Sequence, residues 1–100
     1  MPTNKFVIAA SMRAKSGQEE ALREALLGLV APTRAEEGCV LYDLHQDLND
    51  PAEFLFYEIW ENREVWLKHM ESPHLLAFRG RSEALLEAPT RLWELAQIES

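Results

Sequence analysis

The chain has 100 residues, 47% of them hydrophobic, with four Gly and five Pro, which fits one small folded domain around a single core and excludes a disordered tract. Asp and Glu outnumber Lys and Arg by 17 to 10, and the net charge of −7 repels phosphate backbones and anionic bilayers, so no nucleic-acid and no membrane partner is expected. A single Cys, Cys39, cannot close an internal disulfide, and the apolar run at residues 6–10 is too short for a signal-peptide core, so the expected compartment is the cytoplasm.

Residues 6–13 begin apolar on both parities, Phe6, Ile8 and Ala10 against Val7 and Ala9, which predicts a buried strand. Ser16 stands three residues before Glu19, a capping-box pattern, so a helix is expected to start there. Within it Leu22, Leu26, Leu29, Val30 and Thr33 draw one stripe for a core, while Glu20, Arg23, Glu24 and Arg34 fall elsewhere. Pro32 lacks an amide proton and would crowd the carbonyl of Gly28, which predicts a bend, and Gly38 suits the left-handed residue that ends a helix.

A second strand is expected over residues 39–47, with Val40, Tyr42 and Leu44 on one side and Cys39, Leu41, Asp43 and His45 on the other. After a turn at Asn49, Asp50 and Pro51, a third strand over residues 53–61 carries Leu55, Tyr57 and Ile59 on one face and Phe54, Phe56, Glu58 and Trp60 on the other. Large apolar groups on both faces predict a sheet covered twice, by its own helices and by something else. A chain this short covers its apolar surface poorly, so the second cover is expected to be another subunit, giving a homodimer.

Asn62 can cap a short helix holding Val65, Trp66, Leu67 and Met70. Ser72 and Pro73 restart the helix as cap and first helical residue, and Leu75, Leu76, Phe78, Leu85 and Leu86 follow before a stop near Pro89. A last strand is expected over residues 90–98. The order β-α-β-β-α-β is the split β-α-β arrangement, a ferredoxin-like α+β fold filling one domain over residues 1–100.

His74 follows His69 by five positions, and both side chains are able to move protons near neutral pH. Pro73 between them does not set both rings on one helix face, and Cys39 is the only thiol, so no metal site is expected. A structural reading stands beside each: a buried ring bonded to a carbonyl for His69, a polar group in a first helical turn for His74, and a surface or interface place for His45. Glu58 would enter apolar surroundings beside Phe54, Phe56 and Trp60, where its pKa rises and it can carry a proton, unless it pairs with Arg13 or Arg91. Trp60, Trp66 and Trp93 are core mass or pocket wall, Tyr42 packs or orients a phenolic substrate, and Cys39 reads as a small buried hydrophobe. The sequence holds no dinucleotide fingerprint, phosphate loop, nucleophile elbow or c-type haem motif.

The stretch at residues 34–78 contains E-x-G-C-x-x-Y, Y-E-x-W-E, L-x-H and S-P-H, and on these elements the chain resembles the antibiotic-biosynthesis monooxygenase domain family, also called quinol-monooxygenase-like. The resemblance implies a ferredoxin-like domain that dimerises through its sheets into a dimeric α/β barrel. It also implies oxidation of a quinol or related aromatic substrate by O2 with no cofactor, the electron-rich substrate anion itself reducing oxygen, in a dry pocket with a proton acceptor. His69, Glu58 and His74 fall on the family's pattern as catalytic candidates, and Trp60, Tyr42, Phe56 and Trp66 as substrate-binding ones. Haem-degrading relatives use an Asn on the first strand where Ala10 stands here, which argues against haem. The same resemblance extends to an oxygen-independent isomerase of a small phosphorylated metabolite, for which Arg63, Arg79 or Arg81 would hold the phosphate, and a non-catalytic ligand-binding dimer is the third possibility.

Overall fold

The computed structural model describes residues 5–98; residues 1–4 and 99–100, at the ends of the expected domain, lie outside the described residues. The first strand, β1 (Phe6–Arg13), occupies the centre of the sheet, which is why its residues are apolar on both parities. A turn follows in which Gly17 has φ +86° and the Gln18 N–H donates to the Lys15 carbonyl at 2.9 Å. That left-handed turn moves the helix start past Ser16, so the expected capping box does not form. The cap of α1 (Glu19–Arg34) is Gln18, without a side-chain bond, and Glu19 and Glu20 place negative charge on the first turn instead.

Leu22, Leu26, Leu29 and Thr33 form the buried stripe of α1, with Val30 only partly covered. The helix runs through Pro32 without interruption, because so near its end the missing amide costs one hydrogen bond and no further turns must follow. It stops at Arg34, with Ala35 as cap, well before Gly38. Gly38 is left-handed as expected, φ +86°, but its role differs from the expected helix stop. A Cβ there would lie 2.6 Å from Cγ2 of Val65, so the absent side chain lets the backbone pass close to that residue.

The next two strands, β2 (Cys39–Gln46) and β3 (Glu53–Trp60), form a hairpin, each ending one residue sooner than expected. The turn between them is tied by side chains: Asp47 Oδ1 accepts from the Asn49 N–H at 2.7 Å, and Asp50 Oδ1 from the Ala52 N–H at 3.1 Å. Arg13 clamps it from β1, donating to Asp50 at 2.7 Å and Glu53 at 2.9 Å, and also pairs with Glu87 at 2.9 Å. Asn62 caps α2 (Arg63–His69), its side chain accepting from the Val65 N–H at 3.0 Å. Ser72 and Pro73 open α3 (Pro73–Leu85), which ends short of Pro89 because Leu86 turns extended and bridges to Ala14. The last strand, β4 (Arg91–Leu95), is shorter than the expected 90–98 and lies at the sheet edge, where it has one neighbour to pair with.

The sheet order is β2-β3-β1-β4 with antiparallel neighbours throughout, the ferredoxin-like α+β fold. One correction concerns β2. Its register to β3 jumps between Cys39, opposite Trp60, and Leu41, opposite Ile59, so Val40 is an extra, half-exposed residue. This bulge returns Cys39 to the side that holds Tyr42, against the strict alternation expected. The helix-facing side of the sheet therefore presents Ile8, Ala10, Met12, Tyr42, Phe54, Phe56, Glu58 and Trp60, all buried under the helices. Each large apolar side chain hidden there contributes about 1.5–3 kcal/mol. Among the described residues no helix covers the other side. There Leu55, Tyr57, Trp93 and Leu95 each keep between 37% and 42% of their surface exposed.

Candidate active site

Between the covered side of the sheet and the helices lies a cavity of about 230 Å³. Tyr42 on β2 and Phe56 and Glu58 on β3 form its floor, and Trp66 and His69 on α2 with Phe78 on α3 close over it. The period of two along β3 points Phe56 and Glu58 the same way, and the bulge in β2 sets Tyr42 directly opposite Glu58. Tyr42 and Phe56 stack with ring centroids 4.5 Å apart. Ala10 on β1 lies on the same floor and contributes only a methyl group to it.

Glu58 is 4% exposed and carries no Arg partner; Arg13 is engaged with Asp50, Glu53 and Glu87, and Arg91 lies over the Trp93 ring at 5.0 Å. Its bond is instead with its own strand neighbour, the Trp60 Nε1–H donating to Oε1 at 3.0 Å. Burial pushes the Glu58 carboxyl up to about 7; the Trp60 bond opposes this and the nearby Glu36 charge adds to it. Trp60 is thus fully buried behind the cavity wall, a donor to Glu58 and a neighbour of His69, whose ring centroid is 4.8 Å away.

His69 is 2% exposed, and burial pulls its pKa below the ordinary value, opposed by a bond to Glu36 and aided by His74 and Arg79. Its Nδ1 is 2.8 Å from Oε2 of Glu36, and the Nε2 of His74 is 2.7 Å from that same oxygen. His74 lies outside the cavity lining, its ring centroid 6.1 Å from that of His69. The Tyr42 phenol is held well above its usual range by burial and by Glu58, so it stays a neutral donor. Burial likewise raises the Cys39 thiol, in keeping with a packed side chain and not a nucleophile.

Glu36 is the residue that sequence reasoning missed. The signal was present, since it is the first letter of the E-x-G-C-x-x-Y element, but no strand or helix period assigns it a direction. Arg79 also gains meaning: of Arg63, Arg79 and Arg81 it is the one that lines the cavity, whereas Arg63 pairs with Glu94 at 3.0 Å. Among the described residues Arg79 donates to the Met70 sulfur at 3.7 Å and pairs with no carboxylate.

Glu36, His69 and His74 bring three potential metal-ligand atoms within 4.8 Å of one another, so Pro73 does not keep the two rings apart as the spacing suggested. The geometry favours hydrogen bonds. Ligands held at about 2.0–2.2 Å on one metal stand roughly 3 Å or more from each other, and here both nitrogens lie at 2.7–2.8 Å from one oxygen.

Residues 5–81 match the family described as Antibiotic biosynthesis monooxygenase. The chain belongs to this family. PA3566 of Pseudomonas aeruginosa is a solved structure 35% identical to it, with a TM-score of 0.92 and 99% of each chain covered. Rv0793 of Mycobacterium tuberculosis, provisionally named a monooxygenase, is 32% identical over 97 residues, covering 97% of this chain and 95% of its own. Its solved structure superposes with a TM-score of 0.89, covering 96% and 97% of the two chains. A Synechocystis relative is 27% identical over 97 residues, and the chain spans 66% of that protein's length. Among the described residues no helix is long and apolar enough to cross a membrane.

Proposed function

We propose that this family member is a cytoplasmic, cofactor-free monooxygenase that oxidises a quinol or related phenol with O2. The observation that carries the reading is a buried carboxyl, Glu58, and a buried imidazole, His69, lining one apolar cavity. The reaction balances without an added reductant: a quinol and O2 give a hydroxyquinone and water, and all four electrons taken up by oxygen come from the substrate. What the protein must supply is removal of a hydroxyl proton, so that the electron-rich anion can reduce O2, and a site dry enough to keep that anion from water. His69 is the proton acceptor, Glu58 the second proton site, and Tyr42 and Phe56 the wall against which the ring lies. Trp60 keeps Glu58 oriented. Oxygen uptake with a panel of reduced quinones tests this; a rate no greater than the enzyme-free rate across the panel removes the reading.

The working unit is a homodimer, with the second subunit over Leu55, Tyr57, Trp93 and Leu95. The support is the apolar character of a face that the chain's own helices leave open, and the resemblance to domains that pair through their sheets.

One observation favours a second reading. Arg79 at the cavity, free of any carboxylate among the described residues, suits an anionic substrate. An oxygen-independent isomerase of a small phosphorylated metabolite would use it, and activity that survives strict anaerobiosis would select that reading over the oxygenase.

A further inference from the structure

Glu36 lies in the connection between α1 and β2, while its two partners come from α2 and α3, so three separate segments converge on one oxygen atom. An ionised carboxylate only accepts hydrogen bonds. Each ring must therefore present an N–H to Oε2, His69 from Nδ1 at 2.8 Å and His74 from Nε2 at 2.7 Å. In a neutral imidazole the other nitrogen then carries the lone pair. For His69 that is Nε2, which bonds to no described residue, on a ring that lines the cavity.

We infer that Glu36 is a positioning residue: its Oε2 fixes His69 as the Nδ1–H form and so makes Nε2 the atom that takes the proton from a substrate in the cavity. This rests on the reading of His69 as proton acceptor and adds the residue that orients it. In the step, the substrate O–H bond breaks, the proton moves to Nε2, and the electron pair stays on the substrate oxygen. The imidazolium keeps its Nδ1–H on Glu36, and Nε2 later returns its proton to the water formed from O2. His74 holds the carboxylate from the outer side, so Oε2 is fixed by two donors from different helices.

The groups facing His69 are Glu36 from the loop, His74 and Arg79 from α3, Glu58 from β3, and Tyr42 and Trp60 from the sheet. Of the charged ones, Glu36 alone makes a hydrogen bond with its ring. Removing the Glu36 charge should therefore make His69 a weaker base, while Arg79 and His74 keep acting in the same direction as before.

Nitrogen-15 NMR of the imidazoles in the intact protein tests this without any substrate. The expected result is a protonated Nδ1 and an unprotonated Nε2 on His69 at neutral pH. In Glu36→Gln and Glu36→Leu, the His69 titration midpoint should fall by about one pH unit or more, and Glu36→Leu should lose the single tautomer. Quinol oxidation should fall about tenfold or more in kcat/KM with the acid limb of its pH profile displaced. An Nε2–H tautomer in the unsubstituted protein overturns the inference, as does an unchanged tautomer and midpoint in Glu36→Leu. So does stoichiometric binding of Zn²⁺ or Fe²⁺ that strips the Nδ1 proton, since that would make the triad a metal site. If both variants fail to fold, the tautomer of the unsubstituted protein still decides. Failure of the oxygenase reading shows separately, as absent oxygen uptake beside an intact Nδ1–H tautomer.

Discussion

Trp60 and Glu58 lie two residues apart on β3, and the indole N–H of the first donates across 3.0 Å to the carboxyl of the second. Because side chains two apart on a strand share a face, this contact is local. It supplies the only side-chain donor to Glu58 among the described residues. Trp60→Phe keeps an aromatic ring, smaller than the indole, and removes the donor, so Glu58 should titrate still higher. The variant should lose about 1–3 kcal/mol of stability, read from denaturant melts, with most of the loss above neutral pH, where the carboxyl is charged.

Glu58→Gln should raise stability in alkali and leave it unchanged in acid. The folded pKa of about 7 lies above the reference 4.5, so the folded state binds more protons than the unfolded one between those values and stability falls as pH rises through that window. The penalty above pH 7 is roughly 3 kcal/mol, and removing the ionisable group abolishes it. Melts of both proteins at pH 4 and pH 8 check the sign. An equal difference at the two pH values would show that Glu58 does not titrate as its burial requires.

The two proposed proton sites are displaced in opposite directions, which makes their roles separable by experiment. His69, pulled below 6.5, stays neutral and able to accept below that pH, whereas Glu58 becomes an acceptor only above about 7. If His69 takes the substrate proton, the rate of quinol oxidation should fall on the acid side of 6.5. His69→Ala should then lower kcat/KM by about 10²–10⁴-fold, while Glu58→Gln should leave that limb in place. Steady-state oxygen uptake across pH 5–9 is the measurement, and a full rate in His69→Ala removes the assigned role.

Gly38→Ala should destabilise by about 1–3 kcal/mol, for two reasons that can be separated. The residue has φ +86°, and a Cβ would meet Val65 atoms at 2.6–2.8 Å. Adding Val65→Ala should recover the part owed to the clash and leave the part owed to the backbone. A double-mutant cycle from thermal melts should give a coupling of about 0.5–3 kcal/mol; strict additivity would mean the two do not touch.

Light scattering should give about twice the chain mass of 11.5 kDa. Tyr57→Lys, on the open face of the sheet, should shift the protein toward monomer by adding a charge to an apolar contact. A monomer at micromolar concentration before substitution would remove the paired-sheet proposal.

Much of the fold was legible because strands and helices repeat. Alternation gave β3 its two faces, and the stripe Leu22, Leu26, Leu29 and Thr33 gave α1 its buried side. Local chemistry gave the Asn62 cap and the Ser72–Pro73 restart. What was misread lies where one local signal outweighed another. The left-handed turn at Gly17 displaced the Ser16 capping box, and the bulge at Val40 broke the alternation that had separated Cys39 from Tyr42.

The sequence by itself determined that a carboxyl, a Trp and two large aromatics would share one face of β3, because that depends only on a period of two along one strand. It also brought His69 and His74 forward as proton carriers. Only the tertiary structure decided that both rings converge on Glu36 and that Trp60 stands behind the cavity with its N–H on Glu58. Such meetings depend on how loops, helices and sheet dock over tens of residues, and no spacing along the chain encodes the direction of a side chain in a loop.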